Sequence, residues 1–239
     1  MEKRALLYEG KAKKLYETDV ENTLWVEYKD DATAFNGEKK EVLVGKGKLN
    51  NEISSLLFQK LHEEGINNHF VDRLSETEQA VKKTTIIPLE VVVRNIVAGS
   101  LHRRTGIEEG IETDQPVVEF YYKDDELGDP LINDDHIRLL QAASPSQVKD
   151  MKQMAEHVNE TLKKHFSDHG LLLVDFKIEF GTTEDGKLLL SDEISPDTCR
   201  LWDKETRQKF DKDLFRYGIG SLQEGYTEIL QRLGGAAHG

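Results

Sequence analysis

A chain of 239 residues, 37% apolar and 32% charged, is long enough for one large domain or for two lobes sharing a cleft, and its composition is that of a soluble, highly charged globular protein. A net charge of −13 argues against general binding to nucleic acid or to a membrane surface, since both want a basic footprint. The single cysteine, Cys199, excludes an intramolecular disulfide framework, no apolar run approaches a membrane span, and the opening MEKRALLYEG lacks a signal-peptide core, so a cytoplasmic location is expected.

In chain order, ALLYEG and KKLYET predict two short strands broken at Gly10, LWVEYK (24–29) a third, and EKKEVLVG, ending at Gly45, a fourth. Between the first two, YEGKAKKLY sets Lys11 and Lys13 beside a glycine. That suits a loop whose backbone approaches a phosphate and whose ammonium groups act as point charges; the alternative is a solvated basic hairpin tip. It is not a Walker A sequence, because the second glycine and the Lys-Ser/Thr pair are missing. A helix is predicted from Asn50 to Glu64, with Ile53, Leu56, Leu57 and Leu61 on one stripe and Gly65 as its stop. NHFVDRLSE and QAVKKTTII predict further strands, the second interrupted at Pro88.

LEVVVRNIVAG, from Leu89 to Gly99, is strongly β-branched and predicts a strand buried on both faces or at a lobe junction. Glu90 and Arg94 share a face of it, with Ser100 just beyond, so a carboxylate, a guanidinium and a hydroxyl can line one cleft wall. A purely structural ion pair is the other reading. Residues 106–140, with three glycines and two prolines, are expected to be loops. Ser144-Pro145 then opens a long helix with Val148, Met151, Ala155, Val158, Leu162 and Phe166 on its apolar stripe and Gly170 at its end.

The run from Leu171 to Asp203 carries the densest chemistry. In VDFKIEF, Asp175, Lys177 and Glu179 fall on one face and Val174, Phe176, Ile178 and Phe180 on the other. Asp185-Gly186 is a strong hairpin signal. Taken as the central pair of a two-residue turn, it sets Glu184 opposite Lys187 and Glu179 opposite Asp192. Directly opposed carboxylates repel, and a divalent cation between them removes the objection; a merely solvated acidic face is the alternative. The same register puts Glu193 on the apolar face, which a bulge near Asp192 would repair. Ser195, Pro196 and Asp197 predict a turn that delivers Arg200 beside this hairpin. The last 35 residues are expected to be helical, with Leu222, Tyr226, Ile229, Leu230 and Leu233 on one face. Arg216 there is either an anion clamp or an exposed helix residue. His165 and His169 read as helix-end histidines, and Cys199 as small filler. Strands and helices do not alternate regularly, so the expected class is α+β.

YEGKAKKLY, EVVVRNIVAGSLHRR, GLLLVDFKIEFG and SDEISPDTCRLWDKET together resemble the phosphoribosylaminoimidazole-succinocarboxamide synthase (SAICAR synthetase) family, over about Ala5 to Leu233. The resemblance implies a fold related to kinases and ATP-grasp proteins, with a β-rich lobe (1–85) and a larger α+β lobe (86–239) clasping ATP. It implies ligation of L-aspartate to carboxyaminoimidazole ribonucleotide, with Mg²⁺ as cofactor, ATP as co-substrate and a homodimeric assembly. By the same resemblance Lys11, Ala12 and Lys13 would meet the ATP phosphates, Lys82 to Ile86 would be the hinge to adenine, and Leu15, Leu24, Val81 and Ile86 its apolar walls. Glu179 and Asp192 would carry the metal, with Glu90 near the ribose or metal. Arg94, Ser100, Lys177 and Arg200 would bind the imidazole nucleotide, Asp175 and Asp197 would orient it, and Arg216 would meet an aspartate carboxylate. Lys177, Asp175 and Arg200 would be catalytic, while Lys123 and Asp129 lie in a loop that would order over the substrates. Asn36 stands where an acid occurs in some relatives, and an amide cannot serve as a base. A small-molecule kinase and a non-catalytic nucleotide sensor are the rival readings; the first would need no aspartate and the second would form no product.

Overall fold

The computed structural model describes residues 1–34 and 39–235; Asn36 lies outside them. The chain runs β1 (Lys3–Glu9), β2 (Lys13–Thr18), β3 (Thr23–Tyr28), β4 (Asp31–Ala34), β5 (Lys39–Val42), α1 (Lys46–Glu63), β6 (Phe70–Arg73), β7 (Glu78–Lys82) and β8 (Thr85–Ile96). It continues α2 (Gly99–Thr105), β9 (Glu112–Tyr122), β10 (Leu131–Ile132), α3 (Asp134–Leu140), α4 (Pro145–Asp168) and β11 (Leu171–Thr182). It closes with β12 (Leu188–Ser191), β13 (Cys199–Asp203), α5 (Asp213–Tyr217) and α6 (Leu222–Arg232). One sheet has the order β1-β2-β3-β7-β6; a second has the order β10-β9-β8-β11-β12, with β13 also paired to β11. Strands and helices are mixed without regular alternation, the α+β class. No helix among the described residues is long and apolar enough to cross a membrane.

Helix α4 covers the second sheet. Its start is a capping box: the Ser144 side chain accepts from the Gln147 amide, and the Gln147 side chain accepts from the Ser144 amide. All six residues of the expected stripe are buried, packed with Val91, Val93, Phe176, Ile178 and Phe180 in one core. Helix α1 adds Ile53, Leu57, Phe58 and Leu61 to that core, and α6 adds Ile229, Leu230 and Leu233. The central strands β8 and β11 are therefore dry on one face and lined with charge on the other.

Several expectations needed correction. The β11–β12 loop has three residues, not two. Thr183 pairs with Lys187, the Gly186 amide bonds Thr183 O at 2.9 Å, and Gly186 has φ 80, a turn followed by a left-handed glycine. Every cross-strand pair shifts by one, so Glu179 faces Ser191 rather than Asp192. Pro88 does not interrupt its strand; it sits where the β8–β11 register slips between Glu179/Glu90 and Gly181/Ile86, a bulge that needs no amide donor. The break falls earlier, between β7 and β8. Residues 106–140 are not all loop, since they contain β9, β10 and α3. Pro116 is accommodated where the β8–β9 register slips between Arg94/Val117 and Ile96/Glu112. Helix α1 starts four residues before the expected position. The last 35 residues are helical only in α5 and α6.

Candidate active site

The polar face of β8 and β11 builds the site. Antiparallel pairing sets Asp175 opposite Arg94, Lys177 opposite Val92 and Glu179 opposite Glu90. Lys177 Nζ lies 3.0 Å from Glu90, 2.7 Å from Glu179 and 3.8 Å from Asp192. Burial works against its charge, but the carboxylates of Glu179, Asp192 and Glu90 outweigh it and raise the Lys177 pKa well above the usual range. Lys13 reaches over from β2 to bond Asp192, with Glu193 3.2 Å away. Its pKa is also raised against burial by those two acids. Burial opposes ionisation of Asp192 as well, yet Lys13 and Lys177 hold its pKa well below the carboxylate range. Lys123 bonds the far oxygen of Glu179. Glu90 differs: burial dominates over Lys177 and raises its pKa.

Glu179 and Asp192 thus converge on a single ammonium although they are not cross-strand partners. The convergence comes from the chain turning at Asp192, whose φ is 62, as it leaves β12. Among the described residues no set of three or more His, Cys, Asp and Glu forms a metal cage. The pair suits a hard divalent cation that takes one or two carboxylates and completes its shell from water and phosphate oxygens.

Beside this cluster a cavity of about 340 Å³ is lined by Lys11, Ala12, Glu90, Arg94, Ser100, Asp175, Lys177, Asp197, Arg200 and Arg216, all singled out from the sequence. Arg94 is almost fully engaged. Its Nε donates to Glu119 at 2.8 Å, Nη1 to Asp175 at 2.7 Å, and Nη2 to Ser100 at 2.9 Å and Tyr121 at 3.1 Å. Arg200 donates through Nη1 to Asp175 at 2.8 and 3.1 Å and through Nε to Asp213 at 2.9 Å. Asp213 also accepts from Arg216 at 2.8 Å. Asp175 is therefore a shared anchor for two guanidinium groups.

Asp197 anchors a second network. It accepts from the buried Lys46, from Asn50 at 2.9 Å and from the Tyr226 hydroxyl at 2.6 Å. Both oxygens are occupied, and the loop of Asp197 is tied to α1 and α6. Its pKa is depressed, with burial outweighed by Lys212 and Lys46.

Arg200 packs against Gly99, which has φ 54; a Cβ there would lie 2.4 Å from Nη2. Left-handed backbone alone costs a residue with a Cβ about 1–2 kcal/mol. Gly99→Ala is expected to lose at least that much unfolding free energy in urea; an unchanged midpoint would mean that Arg200 yields without cost.

Leu15, Leu24, Val81, Lys82, Ile86 and Asp129 lie outside the cavity lining. Leu15 and Leu24 pack with Val26, Tyr28 and Val81 in a small cluster of the first sheet. Ile86 is 39% exposed. At the hinge, the Lys82 amide donates to His69 O at 2.7 Å and the Lys83 amide to Asn22 O at 2.8 Å, so neither is available to a ligand. Lys11 pairs with Asp125 at 2.9 Å, and Asp129 accepts from the Asp124 amide. Sequence reasoning missed Lys46, Glu119, Tyr121, Lys212 and Asp213. Only Asp213, three residues before Arg216, left a readable signal.

Fold and site together define an α+β protein whose cavity gathers cations and paired carboxylates, a set suited to anionic ligands. The family model for SAICAR synthetase matches residues 6–233. The chain is 65% identical over 236 residues to the phosphoribosylaminoimidazole-succinocarboxamide synthase of Bacillus subtilis (strain 168), covering 99% of this chain and 98% of that protein. Among solved structures it is similar to that synthase from Ehrlichia chaffeensis (TM-score 0.95, 43% identity, 98% of this chain and 100% of that one). It is also similar to a SAICAR synthetase in complex with ADP (TM-score 0.93, 48% identity, 96% and 97%). The chain belongs to the SAICAR synthetase family.

Proposed function

We infer that this protein is the ATP-dependent ligase of purine biosynthesis that joins L-aspartate to the carboxylate of 5-amino-1-(5-phosphoribosyl)imidazole-4-carboxylate, giving SAICAR, ADP and phosphate. The observation that carries this is the full-length family match, supported by an ADP-bound structural relative at 48% identity. The chemistry needs two displacements. A carboxylate repels an incoming amine, so its oxygen first takes the γ-phosphoryl group, ADP departs, and an acyl phosphate forms. The aspartate nitrogen then attacks the acyl carbon; phosphate leaves with the former carboxylate oxygen, and the nitrogen gives up its proton. Such phosphoryl transfer depends on positioning and charge neutralisation.

In this reading residues 1–85 form the nucleotide lobe and residues 86–239 carry the metal and acceptor sites. Lys11, Ala12 and Lys13 lie against the ATP phosphates, and Leu15, Leu24, Val81 and Ile86 flank adenine, with Lys82 at the hinge. Glu179 and Asp192 hold Mg²⁺, with Glu90 and Lys123 beside them. When bound, that ion screens the phosphate charge. Lys177, between Glu90 and Glu179, faces the transferring group, while Arg94, Ser100 and Arg200 receive the imidazole nucleotide. Asp175 fixes both arginines, Asp197 holds the loop below them, and Arg216 meets a carboxylate of aspartate. A cytoplasmic homodimer completes the proposal, and its mass in solution tests the dimer. The decisive experiment measures ADP release with ATP, Mg²⁺, the imidazole carboxylate and aspartate. Release is expected to fall to background when either acceptor is left out or the metal is chelated. ADP release indifferent to both acceptors would overturn the assignment.

A further inference from the structure

Three acids along the cavity wall each bridge two guanidinium groups. Glu119 joins Arg104 to Arg94, Asp175 joins Arg94 to Arg200, and Asp213 joins Arg200 to Arg216. Opposite charges therefore alternate in one run with an arginine at either end, and neither inner arginine can turn without breaking two ion pairs. Buried charges need such partners, since an unpaired one would cost far more than the pair returns.

Asp175 alone does not fix Arg94. Its single charge is divided between two arginines, and it meets Arg94 only at Nη1. The opposite edge of that guanidinium is held by Glu119, whose Oε2 accepts from Arg94 Nε at 2.8 Å. The same oxygen accepts from the Tyr121 hydroxyl at 3.1 Å, and that hydroxyl accepts from Arg94 Nη2 at 3.1 Å. A ring of hydrogen bonds thus closes around the Nε–Nη2 edge, and several donors of one planar group held together fix its orientation as well as its charge.

Glu119 stands off the cavity, whereas Arg94, Ser100 and Tyr121 line it. Its other oxygen is bonded by Arg104, in the last turn of α2, which also donates to Tyr121 at 2.9 Å. Ser100, at the start of the same helix, accepts from Arg94 Nη2 at 2.9 Å. Both ends of α2 are therefore tied to one cluster, with Glu119 as its only carboxylate on β9.

We propose that Glu119 is a positioning residue for the acceptor site: it holds Arg94 in the orientation in which the guanidinium meets the anionic imidazole nucleotide, and Arg104 completes its charge balance. This rests on the reading of Arg94 given above. Glu119 touches no substrate and acts through Arg94.

The test compares steady-state constants and melting curves for Glu119→Gln, Arg94→Lys, the double variant and Arg104→Met. Glu119→Gln keeps the shape and one acceptor oxygen but removes the charge. A misaligned Arg94 loses binding that ground state and transition state share, so the KM for the imidazole carboxylate should rise about tenfold, the scale of coupling within one ion-pair network. The kcat and the KM values for ATP and aspartate should stay within about threefold. A residue that merely stabilised the fold would lower the active fraction, and so kcat, and leave every KM alone. Lysine has no Nε donor for Glu119, so in the Arg94→Lys background Glu119→Gln should add less than about twofold. Arg104→Met, at the outer end with 30% of its side chain exposed, should raise the same KM about threefold and decides the matter if Glu119→Gln does not fold. An imidazole-carboxylate KM that rises in Arg94→Lys but in neither Glu119→Gln nor Arg104→Met overturns the proposal and leaves the Arg94 reading standing. A KM that Arg94→Lys leaves unchanged removes Arg94 from the acceptor site and the proposal with it. A full tenfold rise in the double variant over Arg94→Lys would mean that Glu119 acts without Arg94, which also overturns it.

Discussion

Asp192→Asn is expected to lower kcat by about a hundredfold or more, as loss of one preorganised electrostatic contact does elsewhere. The substitution is close to isosteric, and Asn is one of the few residues that tolerates the left-handed backbone found here, φ 62. Lys13 keeps a second acid, Glu193, at 3.2 Å, and Lys177 keeps Glu179 and Glu90. No buried cation is therefore stranded, and the melting temperature should shift by no more than about 4 °C. What disappears is one of the two anionic charges that hold the cation in the proposed function, and an amide oxygen does not replace it. Steady-state turnover at saturating Mg²⁺, with a melting curve on the same sample, checks both halves. Full activity would remove Asp192 from the metal site, and a collapse of the melting temperature would make the loss a folding effect.

Asp175→Ala acts through the opposite balance. The carboxylate is 3% exposed and is shared by Arg94 and Arg200, so its removal leaves two buried guanidinium ends facing each other. Breaking a buried ion pair on one side costs about 3–5 kcal/mol. Each arginine retains another acid, Glu119 or Asp213, which argues for the lower end, about 3 kcal/mol. Urea unfolding measures this directly, and a loss below about 1 kcal/mol would mean that solvent enters and replaces the carboxylate. Catalysis should fail in the same variant, because neither arginine keeps its orientation toward the cavity.

The contrast between these acids bears on what a sequence reveals. Asp175, Lys177 and Glu179 were legible as a charged face because a strand alternates strictly and the opposite face is wholly apolar. The stripe of α4 was legible for the matching reason at helical period, and its capping box is local in sequence. The hairpin was legible as a hairpin but not in its register. Asp185-Gly186 is compatible with two- and three-residue loops, and the choice depends on where β11 locks against β8. That one-residue difference moved Asp192 off the ladder and into a turn, which is how it meets Lys177 without facing Glu179 across the sheet. β9 was hidden because Pro116 within it and the glycines on either side of it are loop signals by composition, whereas a bulge beside Arg94 absorbs Pro116.

Lys46 marks the boundary most sharply. Nothing local distinguishes it from other lysines near a helix start, and a buried lysine is improbable unless a counter-charge comes from elsewhere in the chain. Asp197, 151 positions away, supplies it. By itself, then, the chain determined its α+β class, its apolar stripes, the charged faces of β8 and β11 and the motifs of its family, because these are written in periodicities within one element. Only the tertiary structure decided which charges neutralise one another, where α1 begins and that Lys212 comes to the cavity wall, because ion pairs join residues distant in sequence and local propensity carries no information about them.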